Sequence, residues 1–409
     1  MMAAARDFTT EGCTMSFSTL RWALAVSMLC VGLSGCSYFS GASAEGDADL
    51  AELEDGLKAK STDADSNEIA LDSLPQEGEL ELKLTVGDRF PLMKTVEQRL
   101  TQTDKSGDSV SSTRTEMMLS LVVDEVQTDG RKKLTVHYHR VQYEQDIRGK
   151  RLTYSSDQPA ESVPAEAMLY AGLAHNGFSF WLGPNNKIVE LIGFNDFLRR
   201  CLRGVPAQHV ATVQQQLEAI KSEDGIANFI DESIGLLPYS DDPKHPAVAV
   251  KEGSSWDLDA RKTEQPIPML ATMKCMLKGL TPTSAEIMLS GRISGPSGLF
   301  TMHGPNGDVK VFVRGGHSTG TCMVDRKTGL PTRSQIQRHL EMLMELPDGQ
   351  RLVQNKETLS TVTSFLDQSQ KFAPNSDDQI QQTNFIKNAL GSQKDHQSRA
   401  TRPGGLRKY

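Results

Sequence analysis

The chain has 409 residues, 38% of them apolar and 23% charged, with a formal net charge of −8. That composition suits one large or two modest globular domains with a real core. It excludes general nucleic-acid binding, which needs a basic footprint. Met is frequent at 16 while aromatics make up only 6%, so an adaptable, Met-filled core is the simplest interior.

At the amino terminus Arg21 precedes an uncharged run, Trp22 to Leu33, that ends in Leu33-Ser34-Gly35-Cys36. A bilayer-spanning helix needs about 20 apolar residues, so this run is too short to cross. It fits the apolar core of an export signal behind a cationic start. Asp7 and Glu11 do not suit such a start, so Met15 is the better initiator and residues 1–35 read as a signal peptide. The segment ending Leu-Ser-Gly-Cys resembles the lipobox of bacterial lipoproteins. The resemblance makes Leu33, Ser34 and Gly35 recognition positions and Cys36 the residue that takes diacylglycerol and then a further acyl chain such as palmitate. Two or more chains anchor stably where one does not. Ser37 after the cysteine implies, by the same resemblance, the outer membrane rather than the inner one.

Residues 36–78 read as the lipidated cysteine and a disordered acidic tether. Twelve acids between Glu45 and Glu79 face only Lys58 and Lys60, so the segment repels itself and buries little.

The globular part is expected over 79–370. Leu80, Leu82, Leu84 and Val86 alternate with polar residues, the period of a half-buried strand. Gly87-Asp88 marks a turn before a long strand to Thr103. Strands at 113–126 and 132–147 flank Thr128-Asp129-Gly130-Arg131, a strong hairpin cue. Another hairpin joins 178–182 to 188–192 through Gly-Pro-Asn-Asn. Residues 193–237 then read as a helical insert, with Asn195-Asp196 as a cap, a second helix starting after Pro206, and a third apolar stripe from Ile226 to Leu237. Strands resume at 256–260, 268–280, 285–293, 309–314, 319–325, 332–346 and 352–365. The fold class is mainly β (α+β): a large antiparallel sheet, as a half-barrel or as two β halves. The phrases "VGDRF" (86–90) and "EGSSW" (252–256) each place Gly and a small polar residue before an aromatic, a hint of duplication. Residues 371–409 read as a disordered polar tail.

"VDRKTGLPTRSQI" (324–336) resembles a hairpin of periplasmic lipoprotein-carrier half-barrels, through Asp325, Thr328, Gly329, Leu330 and Pro331. Phrases between 79 and 366 resemble an uncharacterised, domain-of-unknown-function family of exported β-rich bacterial proteins. That family brings no catalytic residues, and fold analogy is a weak warrant for function.

Three constellations are candidates for chemistry. Gly316-His317-Ser318-Thr319-Gly320 matches a nucleophile elbow, which needs a strand before it and a helix after it; no helix is in prospect. His137 and His139 share one strand face, where two imidazoles are weak candidates to begin a metal site; with no further ligands beside them, the other reading is a solvated polar face. Cys275 and Cys322, both on expected strands, are a possible disulfide; Cys201 leaves an odd count. No cofactor motif is present. The leading expectation is a non-enzymatic envelope lipoprotein, held on the membrane by lipid and binding a lipid, peptide or protein on a concave sheet face. A serine hydrolase using Ser318 and a structural scaffold are the alternatives.

Overall fold

The computed structural model describes residues 77–365, apart from residue 106 and the segments 158–162, 219–233, 241–246, 264–266 and 305–306. The signal peptide, Cys36 with Leu33, Ser34 and Gly35, nearly all of the tether, and the tail lie outside the described residues.

Alternating apolar residues fold the chain into a meander of long strands. The first half carries β1 (Glu77–Leu80), β2 (Arg89–Asp104), β3 (Gly107–Val126), β4 (Lys132–Ile147), β5 (Lys150–Ser155), β6 (Asn176–Leu182) and β7 (Ile188–Ile192). The second carries β8 (Val248–Lys251), β9 (Ser255–Thr263), β10 (Met269–Leu280), β11 (Ser284–Ser294), β12 (Phe300–Gly304), β13 (Gly307–Asp325), β14 (Pro331–Glu345) and β15 (Arg351–Ser364). Helices α1 (Met168–Leu173), α2 (Phe194–Cys201) and α3 (Ala207–Glu218) lie between strands of the first half and β8. Thirteen strands form one antiparallel sheet in the order β7-β6-β4-β3-β2-β15-β14-β13-β11-β10-β9, with β5 beside β4 and β12 beside β13. β1 and β8 pair separately.

The period of two puts one residue set on each face. The inner face holds the core: Phe90, Leu92, Leu119, Leu121, Val136 and Phe180 in the first half, and Ile293, Val311, Leu340, Met342 and Met344 in the second. Midway along β2 and β15 that face turns polar, with Lys94, Gln98, Gln354, Lys356, Thr358 and Ser360 all buried.

The sheet curls without closing. β7 and β9 end the path and do not pair, yet Lys187 at the β6–β7 turn meets Asp259 of β9. Segment 234–240 lies at the same place. Trp256 donates its indole N–H to Leu236 O (2.8 Å), and Lys187 Nζ sits 5.4 Å from the Tyr239 ring.

The two halves repeat. Gly87 N donates to Val123 O and Gly253 N to Leu277 O, both at 2.8 Å; Val123 N returns to Asp88 O and Leu277 N to Ser254 O, both at 2.9 Å. The side chains match too: Thr85 N donates to Asp88 Oδ2 and Lys251 N to Ser254 Oγ. β3 bulges against β4 between Val123 and Glu125, as β10 does against β11 between Leu277 and Gly279. β2, β3, β4, β6 and β7 thus correspond to β9, β10, β11, β13 and β14. β15 has no counterpart among the described residues. After β7 the chain enters helices instead, and α2 packs Phe194 and Phe197 on Phe178 (ring centroids 5.1 and 4.9 Å).

Several expectations need correction. The described fold starts at Glu77, inside the expected tether, because β1 pairs with β8. The strand foreseen over 79–86 is regular only to Leu80. Beyond it Leu82 and Leu84 stay buried while the chain crosses the β13–β14 hairpin, where Lys83 N donates to Thr328 O (2.8 Å). The cap of α2 is Gly193 in a left-handed conformation (φ 68°), not Asn195-Asp196. Ile234 to Leu237 form a turn rather than helix, and 226–233 lie outside the described residues. The strands foreseen at 309–314 and 319–325 are one, β13, bent by a bulge between Val313 and Gly315.

Candidate functional site

A trough of about 600 Å³ opens on the face opposite the core, across β5, β4, β3, β2, β15 and β14. Register builds it. One wall is the cross-strand row Glu357, Arg99, Ser112, Asp146, Arg151, each opposite the next. The other is Gln337, Leu359, Glu97, Arg114, Glu144, Thr153. Between them Thr358, Gln98, Thr113, Gln145 and Leu152 turn their side chains to the inner face and leave backbone as the floor. Same-face rows stand about 7 Å apart, and five strand spacings run about 24 Å.

The walls are charged and partly self-compensated. Arg114 pairs with Glu97 (3.2 Å) and Glu116 (3.5 Å), and Arg151 with Asp146 (3.5 Å). Such exposed pairs contribute about 0–1 kcal/mol each. Glu144, Glu357 and Arg99 hold no ion pair among the described residues. The lining contains no aromatic side chain.

The residues singled out in the sequence are not brought together. Ser318 sits inside β13, 4% exposed, opposite Gly291 on β11 and Arg338 on β14. An elbow needs a strand-to-helix turn, and here the strand runs on to Asp325. The flanking glycines serve close strand contact: a Cβ on Gly316 would stand 2.2 Å from His339 O, and on Gly320 2.5 Å from Gln335 O. His317 and His339 lie with their tilted rings 5.3 Å apart on the opposite face from Ser318, so they do not reach it as a base.

His137 and His139 do lie on the outer face of β4. His139 bonds Ser120 Oγ at 2.8 Å, and burial against the protein lowers both imidazoles below their ordinary value, helped at His139 by His137 and Arg89. No group of three potential ligands that could hold a metal occurs among the described residues. Cys275 and Cys322 are thiols outside any disulfide, as is Cys201. β11 separates the first two: Cys275 faces Leu289 and Cys322 faces Ile287. Two strand spacings are about 10 Å, beyond the roughly 4.4–6.8 Å between Cα atoms that a disulfide spans. Burial pushes the Cys201 and Cys275 thiols up to about 12.

The trough itself escaped sequence reading. Its residues are ordinary polar positions of six strands, and only the register aligns them.

No curated protein matches the chain. Similar solved structures include lipovitellin, from a study of its lipid–protein interactions (9% identity, TM-score 0.37, 68% of this chain). This chain spans only 25% of that one. Others are OpdQ of Pseudomonas aeruginosa (7%, TM-score 0.17, 68% of this chain and 100% of that chain) and a domain described as an outer membrane lipoprotein-sorting protein from Vibrio parahaemolyticus (9%, TM-score 0.12, 73% and 91%). TM-scores this low establish no shared fold. The match that bears on the domain is narrower than the 79–366 expected: residues 129–331, from the β3–β4 turn to the start of β14, match the model of a family of unknown function, DUF6263.

Proposed function

We propose that this is a lipid-anchored protein of the bacterial envelope, tethered through Cys36, that binds a polar partner in the trough across β14 to β5. The observation that carries the binding role is the trough, a long groove on the solvent face whose walls hold charges without ion-pair partners. The anchor rests on the charge, run length and Leu-Ser-Gly-Cys ending of the first 36 residues. Ser37 favours the outer membrane. Among the described residues no helix is long and apolar enough to cross a membrane. A binding role also suits the burial of Ser318 within β13, on the face opposite His317 and His339.

The anchor is tested by growing producing cells with an alkyne-tagged fatty acid. The wild type takes the label and fractionates with membranes, and Cys36→Ala does neither. Equal labelling of both removes the anchor.

A further inference from the structure

Resting on that reading of the trough, we infer that its occupant is an extended, basic polypeptide segment lying across the strands. Three observations select it. The groove runs between two adjacent side-chain rows whose Cα atoms stand about 7 Å apart, a spacing that leaves room for one extended chain at most and none for a helix or a second strand. At about 3.4 Å per residue, roughly seven extended residues fill its 24 Å length.

The lining chemistry comes second. Gln335, Gln337, Ser112 and Thr153 present amide and hydroxyl groups at the rims, suited to the N–H and C=O groups of a peptide backbone. With no aromatic ring in the lining, there is no platform on which a sugar or a base would stack.

The charges come third. Two of the three guanidiniums, Arg114 and Arg151, are engaged by Glu97 and Asp146. Glu357 and Glu144 are left on opposite walls, on β15 and β4, with β2 and β3 between them. Three strand spacings along the groove and the 7 Å between its walls put them about 16 Å apart, the reach of two side chains five residues apart on an extended strand, which point to opposite sides. Lysine or arginine side chains at that spacing meet both carboxylates. Arg99, opposite Glu357 in register, faces the backbone carbonyls between them.

The test uses the full chain in detergent and fluorescence anisotropy. The probe is a labelled nine-residue peptide of serine and glycine with two lysines five apart. It binds the wild type, weakens with added salt, and loses about tenfold or more in affinity in the Glu144→Gln/Glu357→Gln double variant, whose exposed positions leave folding intact. A probe with adjacent lysines binds more weakly. If a glutamate-for-lysine probe binds instead, and Arg99→Ala abolishes it, the trough stands as a site and the basic assignment falls. If spermine binds as tightly as the peptide and displaces it, the polypeptide assignment falls. If no probe protects 97–99, 144–146 and 357–359 from hydrogen exchange, and crosslinkers placed in the trough capture nothing in cells, the binding reading falls with it.

Discussion

At the scale of single residues, burial is the leading cause of the shifts at His137, His139, Cys201 and Cys275. His137 and His139 reach solvent but are desolvated enough by their surroundings for both imidazoles to be held below the ordinary value of 6.5. The unfolded chain therefore takes up protons first as pH falls. Their contribution to stability is full above about 6.5 and is lost as pH drops through the folded values. We predict that urea midpoints fall between pH 7.5 and 5.5, and fall less in His137→Gln/His139→Gln; an unchanged pH slope would contradict this. The cysteines behave alike. With Cys201 and Cys275 pushed up to about 12, the thiolate that reacts is scarce. Iodoacetamide at pH 8 should leave both unmodified in the folded protein and alkylate both in urea. Labelling of the native state at free-thiol rates would show that the strands around them open.

At the scale of elements, glycines sit in two hairpin turns for different reasons. Gly329 lies in the β13–β14 turn at φ 77°, and a Cβ there would stand 2.2 Å from Glu81 O on the crossing segment. Gly349 in the β14–β15 turn has φ 79° but open space around it. Ala at Gly349 pays the left-handed backbone alone, about 1 kcal/mol. Ala at Gly329 also displaces residues 81–85 and should cost clearly more. Equal denaturant midpoints for the two variants would mean that the segment contributes nothing at that contact. In the helical insert, Phe197 is 1% exposed and packs on Tyr138, Phe178 and Phe194. Phe197→Ala is expected to destabilise the protein by about 3–5 kcal/mol, read by thermal or chemical unfolding.

Much of this level was legible in the sequence. β2, β4, β14 and β15 announce themselves by alternation, and Asp325, Thr328 and Gly329 form the turn that their resemblance implied, with Thr328 N and Oγ1 both donating to Asp325 Oδ2. Where alternation is short or broken, the reading failed. β5 has six residues, β12 five, and α1 six, too few for a period to show. Gly315 looked like a strand end and is a bulge inside β13, because its positive φ of 135° kinks a strand that keeps its neighbours.

At the scale of the whole molecule, register decides what no local pattern discloses. The repeated turns at Gly87 and Gly253 vindicate the hint in "VGDRF" and "EGSSW" and show how two meanders share one sheet. They also locate the place after β7 where helices stand in for a strand matching β15. The trough is likewise a product of register. Glu97 and Glu357 lie far apart in sequence, yet their strands are neighbours through β2 and β15. GxSxG, by contrast, was a local pattern whose cause was not local: close contact with β14 explains its glycines.

The central claim is that this trough is occupied by a partner where the protein works. A photo-crosslinking amino acid placed at Gln337 or Ser112, on the two walls, tests it directly in cells producing the full chain. Thr272, exposed on the same face of β10 and outside the trough, is the control. Our account predicts discrete covalent adducts from both wall positions and none from Thr272. No adduct from either wall, or the same adducts from Thr272, would contradict it.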